Sequence, residues 1–452
     1  MATPDEDSPQ IFVQIAAYRD PELLPTIDRL LSTAANPDAF FSFGICWQYG
    51  PEEEDILSKF DERPNFRVHK VPHGESRGLG WARSVTNGLH RGEPYTLQLD
   101  SHHVFVQGWD AMLLEDYSQA KTFSDKPVLT TYTPPYNVGV AVPDRPVPTL
   151  MSQYEFSADR LLMSRPWYIP KEVTDQKRVI RARTISAHFL FADSRFLEEV
   201  PYDPEAFFGG YVEEATLSSR AWTHGWDFFS PYRCYIFHEY TRAGRPKIWE
   251  DNPSETSRWD MNARSRARQL HGQEQAGKDL GRYGLGSVRT FREYEEFAGL
   301  DFEQCRIHRH TLDVREPPNP KPWEDGFTAK SFEATAAWNA DMIREDCSSH
   351  AGDENEFRLK CLTLGFETST GRTMHRADMR MDNEPDVFSY ERVTKTVAFQ
   401  NSSGENPVKW VLWPLFVNAK TGEDKWGRRQ EGLSTWRVID HLHSGKCILG
   451  HR

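Results

Sequence analysis

The chain has 452 residues, 38% of them hydrophobic and 13% aromatic, which is enough for sizeable cores and for two domains. Its formal net charge of −13 disfavours non-specific nucleic-acid binding and attachment to anionic membrane surfaces. No run approaches the roughly 18 apolar residues of a membrane helix. The cysteines (Cys46, Cys234, Cys305, Cys347, Cys361, Cys447) are widely spaced without a CxxC, so reduced thiols in a cytoplasmic setting are expected rather than a disulfide frame or zinc site.

Residues 1–10 are acidic and carry Pro4 and Pro9, with neither the basic nor the apolar region of a signal peptide; a flexible tail is expected. Residues 11–17 then form a buried-type strand. The strand runs into Asp20-Pro21, where Asp20 can cap a helix that has Pro21 at its first position. Strands follow at 41–48 and 66–71, a helix at about 79–89, and a further strand at 95–99. Such alternation predicts an α/β domain with a mostly parallel sheet and covering helices. The stretch 134–170, rich in Pro and aromatics, reads as a long substrate-side loop.

Composition changes at Pro317-Pro318-Asn319-Pro320-Lys321-Pro322, a linker signal. Beyond it, residues 357–366, 387–399 and 409–417 are β-rich, and turn residues such as Ser402-Ser403-Gly404 lie between them. The expected organisation is a tail at 1–10, an α/β domain at 11–316, a linker at 317–330 and a β-rich accessory domain, a small β-sandwich, at 331–452. Whether that last domain covers apolar surface or binds carbohydrate or acceptor is open.

The most informative stretch is Tyr95-Thr96-Leu97-Gln98-Leu99-Asp100-Ser101-His102. Apolar residues at 95, 97 and 99 have the period of a half-buried strand, and the strand ends in an acid and an imidazole two positions apart. A carboxylate and an imidazole suit a divalent metal such as Mn²⁺, with Mg²⁺ the alternative. In open α/β sheets ligands collect outside the carboxyl ends of strands. A metal held there by few protein ligands leaves positions open for a diphosphate, the chemistry of a nucleotide-sugar transferase. The plain alternative is a polar strand end that caps a turn.

Several later blocks stand in a definite order. They are Pro201-Tyr202-Asp203-Pro204, Gly209-Gly210-Tyr211-Val212-Glu213-Glu214, Ser219-Arg220-Ala221-Trp222 and Tyr235-Ile236-Phe237-His238. Together with Ala17-Tyr18-Arg19-Asp20-Pro21-Glu22, Arg77-Gly78-Leu79-Gly80-Trp81-Ala82-Arg83, Asp100-Ser101-His102, Gly108-Trp109-Asp110 and Tyr283-Gly284-Leu285-Gly286, they give the sequence a family likeness over residues 10–302. The chain resembles the polypeptide α-N-acetylglucosaminyltransferases, typified by an enzyme that modifies hydroxyproline. It is more distantly similar to the polypeptide GalNAc transferases. The resemblance implies a GT-A fold, a UDP-sugar donor (UDP-GlcNAc), a polypeptide or peptide acceptor and a divalent metal. Asp100 and His102 match the metal-binding triplet, and His238 matches a histidine that supplies a third ligand.

On this resemblance Ala17, Tyr18 and Arg19 fall at the nucleotide, where Tyr18 can stack on uracil and Arg19 can meet ribose or phosphate; a solvated turn is the alternative. Arg77 and Arg83 flank Gly78 and Gly80, so backbone can approach a ligand and a guanidinium can meet phosphate. Arg83 as an ordinary helix-face charge is the alternative. Asp100, Glu213 and Glu214 are the candidate catalytic acids. Adjacent carboxylates at a helix start are also favoured by the helix dipole alone, and Glu214 stands where the GalNAc enzymes have Asn. His103 and His188 are expected to be structural or substrate-side, and Asp110 to brace the sheet. The expected activity is metal-dependent, retaining transfer of N-acetylglucosamine to a polypeptide hydroxyl. An inverting enzyme with Glu213 or Glu214 as base, and a catalytically silent binder of sugar nucleotides, are the alternatives.

Overall fold

The structure is a computed structural model. It describes residues 10–451 apart from 141, 144–145, 158, 208–211, 243, 276, 278, 328–329, 352–356, 381–391, 402–404, 421, 423 and 440–447. The expected tail (all but residue 10), the Gly209-Gly210 pair and the Ser402-Ser403-Gly404 turn therefore lie outside the described residues. The chain divides into two compact units, residues 1–305 with 310–323, and residues 306–309 with 324–452. Among the described residues no helix is long and apolar enough to cross a membrane.

The first unit begins with β1 (Ile11–Tyr18), α1 (Leu23–Thr33), β2 (Phe41–Tyr49), β3 (Phe66–Pro72), α2 (Leu79–Asn87) and β4 (Tyr95–Leu99). It continues through β5 (His103–Phe105), α3 (Trp109–Lys121), β6 (Pro127–Thr130), β7 (Thr149–Phe156), β8 (Leu162–Tyr168), α4 (Lys171–Thr174) and β9 (Ile180–Arg181). Next come β10 (Phe189–Asp193), α5 (Arg195–Glu199), α6 (Glu213–Thr223), β11 (Asp227–Ser230), β12 (Ile236–His238), α7 (Ile248–Asp251) and α8 (Pro253–Leu270). Eight strands form one sheet in the order β3-β2-β1-β4-β10-β6-β11-β9. Strands β1 to β4 are parallel neighbours, whereas β10 runs antiparallel to both β4 and β6. The α/β expectation holds, with a mixed rather than wholly parallel far half.

Strand β1 is apolar apart from Gln14 and is buried over Ile11–Ala17 because helices cover both faces of the sheet. Strand β4 corrects the half-buried expectation. Its alternate residues Thr96 and Gln98 are also buried, and each is satisfied internally. Gln14 Nε2 donates to Thr96 Oγ1 (2.7 Å), and Gln98 Nε2 donates to Ala187 O (2.6 Å) and Tyr202 Oη (2.7 Å). Period-2 polarity here marks an internal hydrogen-bond layer, since a buried amide needs a partner. Helix α1 packs Leu23, Ile27 and Leu30 on one face against the sheet core. It starts two residues after Pro21, not at it. Asp20 Oδ1 accepts from Glu22 N (3.0 Å) and closes the turn ahead of the helix. Asp110 braces the connection after α1, its carboxylate accepting from Ala35 N (2.7 Å) and Asn36 N (2.9 Å).

The stretch 134–170 is not a loop throughout, because β7 and β8 pair there as an antiparallel hairpin. A second small ribbon matters more. Strands β5 and β12 pair antiparallel with His238 opposite His103, and Glu239 N donates to His102 O (3.1 Å). This pairing carries His238 to the end of β4.

The second unit contains two antiparallel sheets. One orders Thr435–Ile439, Lys330–Asn339, Arg392–Asn401 and Ile448–His451, and the other orders Thr373–Arg380, Phe357–Glu367, Lys409–Asn418 and Asp424–Trp426. Phe332, Trp338 and Phe399 from the first share one buried cluster with Leu364, Phe366 and Trp410 from the second, so the sheets pack face to face as a sandwich.

Gly78 (φ +95°) and Gly80 allow α2 to sit tightly against residues 203–207. A Cβ on Gly78 would fall 2.1 Å from the Phe207 ring, and one on Gly80 would fall 2.1 Å from Ala206 O. The close approach that these glycines serve is thus to the chain itself. Gly80→Ala is expected to lower the unfolding free energy of the first unit by about 1–3 kcal/mol, the usual cost of overpacking. Denaturant titration followed by tryptophan fluorescence checks this, and an unchanged midpoint would contradict the packing described.

Candidate active site

Residues 100–103 turn sharply between β4 and β5. Asp100 leaves β4 with its carboxylate pointing into a cluster of four imidazoles. His238 Nε2 lies 3.1 Å and His102 Nε2 lies 3.9 Å from Asp100 Oδ2. The ligand atoms of Asp100, His102 and His238 all lie within 4.8 Å of one another. On its other side Asp100 Oδ1 accepts from Arg83 Nη2 (2.5 Å). Burial alone would raise the Asp100 carboxyl, but the His238 hydrogen bond and the Arg83 charge outweigh it and hold the group well below the usual carboxylate range.

His103 and His188 complete the cluster without facing the ligand atoms. Asp100 N donates to His103 Nε2 (3.3 Å), and His103 Nδ1 donates to Phe237 O (2.9 Å), so this ring ties β4 to β12. His188 Nε2 accepts from Thr133 N (3.1 Å). Burial pushes His103 down to about 3 and His188 down to about 4, and it depresses His238 strongly. These rings are neutral at physiological pH, the form that binds metal.

His102 shows why this set fits a cation. Its Nδ1 sits 2.7 Å from Asp20 Oδ2, which fixes the tautomer with the proton on Nδ1. Its Nε2 is buried and has no hydrogen-bond partner among the described residues. A carboxylate that orients a histidine whose other nitrogen is left open is the arrangement of a metal ligand with its outer brace. One carboxylate oxygen and two imidazole nitrogens suit Mn²⁺ or Mg²⁺ less tightly than a thiolate site would suit zinc, and they leave further positions for substrate oxygens. His238 has no such brace. Its Nδ1 is buried without a partner among the described residues, and the ring is held by packing against Tyr240 (centroids 4.2 Å apart) and His188 (4.7 Å).

Asp20 was legible only as a helix cap. Its second oxygen also accepts from Ser101 Oγ (2.6 Å) and Arg245 Nη1 (2.9 Å). Arg245 is buried and bridges onward to Glu239, the residue after His238. A buried chain Asp20–Arg245–Glu239 therefore links the neighbourhoods of both histidines. The signal in the sequence was an acid just beyond each of β1 and β12, but neither acid announces its partner.

Asp100, His102 and Asp20 line an open cleft, whose further walls include Tyr18, Gln48, Arg242, Lys247 and Trp249. Tyr18 lines this cleft, and α7 engages both Tyr18 and its neighbour Arg19. Tyr18 Oη donates to Asp251 Oδ2 (2.6 Å), and Arg19 Nη1 donates to the same carboxylate (3.0 Å). Ala17 is turned away. Strand alternation buries it in the sheet core, and Ala16 faces the cleft instead. Arg77 is exposed next to Gly78. Arg83, expected at a phosphate, is 1% exposed and points inward to Asp100 Oδ1 and Leu99 O (2.8 Å). It belongs to the buried stripe of α2 with Ala82 and Thr86, so its charge is committed to the protein.

Glu213 and Glu214 open α6 and are half-buried. Glu213 Oε1 accepts from Tyr202 Oη (2.9 Å) and lies 3.6 Å from Arg83 Nε. Glu214 is pushed up to about 8, by burial first and then by the Glu213 charge. The structure brings Asp100, His102 and His238 together, joins Glu213 to them through Arg83, and leaves Ala17 and Arg77 outside the polar network.

The family model described as Glycosyltransferase (GlcNAc) matches residues 10–65 and 59–304, well over half of the chain. The chain belongs to this glycosyltransferase family. Every residue of the cleft named above lies within the matched span, and most of the β-rich unit lies beyond it. No protein of curated function matches the sequence. Among solved structures, S. aureus TarS 1–349 in complex with UDP-GlcNAc is similar at 13% identity and a TM-score of 0.35, covering 61% of this chain and 69% of that one. GalNAc-T7 with UDP, GalNAc and Mn²⁺ is similar at 12% identity and a TM-score of 0.43, covering 98% of this chain and 83% of that one.

In this glycosyltransferase the outer brace makes a separable prediction. Asp20→Asn removes the charge that orients His102, and Mn²⁺ affinity should fall by roughly 10–100-fold, the usual loss when such a partner is removed. Titration calorimetry of the wild type and the variant measures it, and equal affinities would take Asp20 out of the site.

Proposed function

We propose that this glycosyltransferase moves N-acetylglucosamine from UDP-GlcNAc to a hydroxyl of a polypeptide, with retention, using Mn²⁺ or Mg²⁺ held by Asp100, His102 and His238. The observation that carries the reading is the convergence of those three residues beside a cleft, with His102 Nε2 buried, unpartnered and aimed by Asp20. When bound, the cation supplies positive charge that stabilises the departing diphosphate.

The chain's own groups fit the remaining tasks. Arg242 and Lys247 line the same cleft and add positive charge where phosphate oxygens would lie. Tyr18 on the cleft wall offers a ring face to the nucleoside, while its hydroxyl and the Arg19 guanidinium are held by Asp251. Trp249, 40% exposed on the cleft wall, offers a flat apolar face. Donor and acceptor preferences are supported by the GlcNAc description of the family and by the ordered blocks that resemble the polypeptide transferases. Retention is supported by how the acids are held. Asp100 is tied to Arg83 and His238, and Glu213 to Tyr202, so neither is free to act as a base. The acceptor proton then passes to an oxygen of the departing diphosphate, on the same face as the new bond.

A second reading, inversion, is favoured by one observation. Glu214 has a carboxyl raised to about 8 and no side-chain hydrogen bond among the described residues, which are the properties of a general base working near neutral pH.

Release of UDP from UDP-GlcNAc, with and without acceptor, should require added Mn²⁺ and stop in excess chelator. Asp100→Ala should lower the rate by about 10²-fold or more, since metal charge stabilisation amounts to several kcal/mol. Full turnover in chelator would overturn the metal-dependent reading.

The two stereochemical readings part in the product. Retention gives an α-linked sugar by NMR, and Glu214→Gln then costs no more than positioning. Inversion gives a β-linked sugar, a rate that falls as pH drops below about 8, and a loss of about 10²–10⁴-fold in Glu214→Gln.

A further inference from the structure

After β12 the chain forms a strap along one wall of the cleft and ends it in α7. The strap begins where Glu239 closes a tight turn, its Oε1 accepting from Thr241 N (2.6 Å) and Arg242 N (3.2 Å). Glu239 Oε2 accepts from Arg245 Nη2. The other terminal nitrogen of Arg245 donates to Asp20 Oδ2 (2.9 Å), just beyond β1. Glu239, Arg245 and Asp20 are all buried. The far end of the strap is fixed separately, by Asp251 on Tyr18 and Arg19. Residues 18–20 thus hold the strap at both ends, and Arg242, Lys247 and Trp249 of the strap line the cleft.

Arg245 also lines the cleft, but both of its terminal nitrogens are engaged by carboxylates. Two buried carboxylates share this one guanidinium, so it has no surplus positive charge for an anion. Arg242 and Lys247 are held differently. The Arg242 guanidinium carbon lies 5.9 Å from the centre of the Trp249 ring. Lys247 donates to Glu250 (3.0 Å) at the surface, a contact that solvent screens and a phosphate can replace. The contribution of Arg245 is geometric. A guanidinium is a rigid fork that meets two acceptors at fixed angles. Its grip on Asp20 and Glu239 sets the turn at 239–242 relative to β1, and with it the backbone of Arg242, whose N–H the same Glu239 carboxylate holds.

We propose that Arg245 is a positioning residue for the donor. By gripping Asp20 and Glu239 together it places Arg242 before it and Lys247 after it against the diphosphate, without touching the phosphates itself. This role rests on the reading of the cleft as a UDP-sugar site. The nucleoside end of the strap is independent of Arg245, because Asp251 holds it. The brace on the metal ligand is separate too, since the contact of Asp20 with His102 does not pass through Glu239.

Titration calorimetry of the full chain with UDP and with uridine, each in saturating Mn²⁺, tests this role, with Mn²⁺ alone titrated in parallel. Glu239→Gln keeps an oxygen for the turn and presents an amide NH₂ where Oε2 met Arg245. It should weaken UDP by about tenfold, the scale of one charge-assisted hydrogen bond, and leave uridine and Mn²⁺ within about twofold of the wild type. The direction of the change separates positioning from charge. The variant removes a negative charge beside an anion, so electrostatics without positioning would tighten UDP. Arg245→Lys keeps the positive charge but replaces the fork by one nitrogen, and it should show the same loss confined to UDP; Glu239→Gln decides the matter if this variant does not fold. UDP affinity unchanged or raised in Glu239→Gln, or fully retained in a folded Arg245→Lys, would overturn the role. So would an equal loss of UDP, uridine and Mn²⁺, which marks general support of the fold. Absence of UDP binding by the wild type would instead overturn the transferase reading, and this role with it.

Discussion

Holding one partly buried carboxylate ionised at the end of a central strand is the constraint around which the first unit is arranged. Asp100 lines the cleft with 17% of its side chain exposed, and its loss of water is offset by charged and hydrogen-bonding neighbours. Arg83 supplies that compensation from α2, and it is itself buried and also anchored by Leu99 O. The pair fixes α2 against the end of β4. The tight glycine contact of α2 with residues 203–207 then sets the position of the chain just ahead of α6. Glu213 closes the circuit by approaching Arg83 from α6. Three elements thus share one guanidinium, and the second oxygen of Asp100 faces the imidazoles, 3.1 Å from His238 Nε2.

The imidazole side is built by backbone pairing. His238 is 138 positions from Asp100, yet it reaches the carboxylate because β12 pairs with β5, the strand that begins immediately after the turn holding His102. Register matters here, since a slip of one residue would send His238 to the other face of the ribbon. His103 reinforces the register by bonding Asp100 N on one side and Phe237 O on the other. The two outer histidines are then oriented by different means, His102 by a carboxylate and His238 by aromatic packing. The unpartnered Nδ1 of His238 carries a desolvation cost of about 1–3 kcal/mol, and it leaves that ring the less firmly aimed of the two.

This division explains what was legible in the sequence. The alternation of strands and helices, the strand ending at Asp100, and the companion histidine at 238 could be read because strand periodicity and ordered motifs are local signals. The mixed far half of the sheet could not, because nothing in residues 189–193 states that they run antiparallel to β4. Arg83 was misread because a guanidinium beside glycines suggests phosphate; the better signal was its place in the buried stripe with Ala82 and Thr86. Ala17 was misplaced by one residue, which in a strand is the difference between the core and the cleft. Asp20 was visible as a helix cap; it instead closes the turn ahead of a helix that starts at Leu23, and its second oxygen has partners at 101, 102 and 245 that only tertiary structure assembles. The cleft wall from Arg242 to Trp249 carried no periodicity to mark it.

The adjacent acids of α6 show how one helix start can serve two electrostatic purposes. Both occupy the first turn, where the helix dipole favours negative charge by about 0.3–1 kcal/mol. If the dipole decided the matter, the two would titrate alike. Instead burial raises both, and their neighbours then separate them. Glu213 has the Arg83 charge and the Tyr202 hydroxyl to stabilise its ionised form. Glu214 lacks a hydroxyl partner, carries the added repulsion of Glu213, and sits at about 8. Two carboxylates one residue apart thus meet different surroundings, Glu213 the Arg83 guanidinium and the Tyr202 hydroxyl, and Glu214 the charge of Glu213.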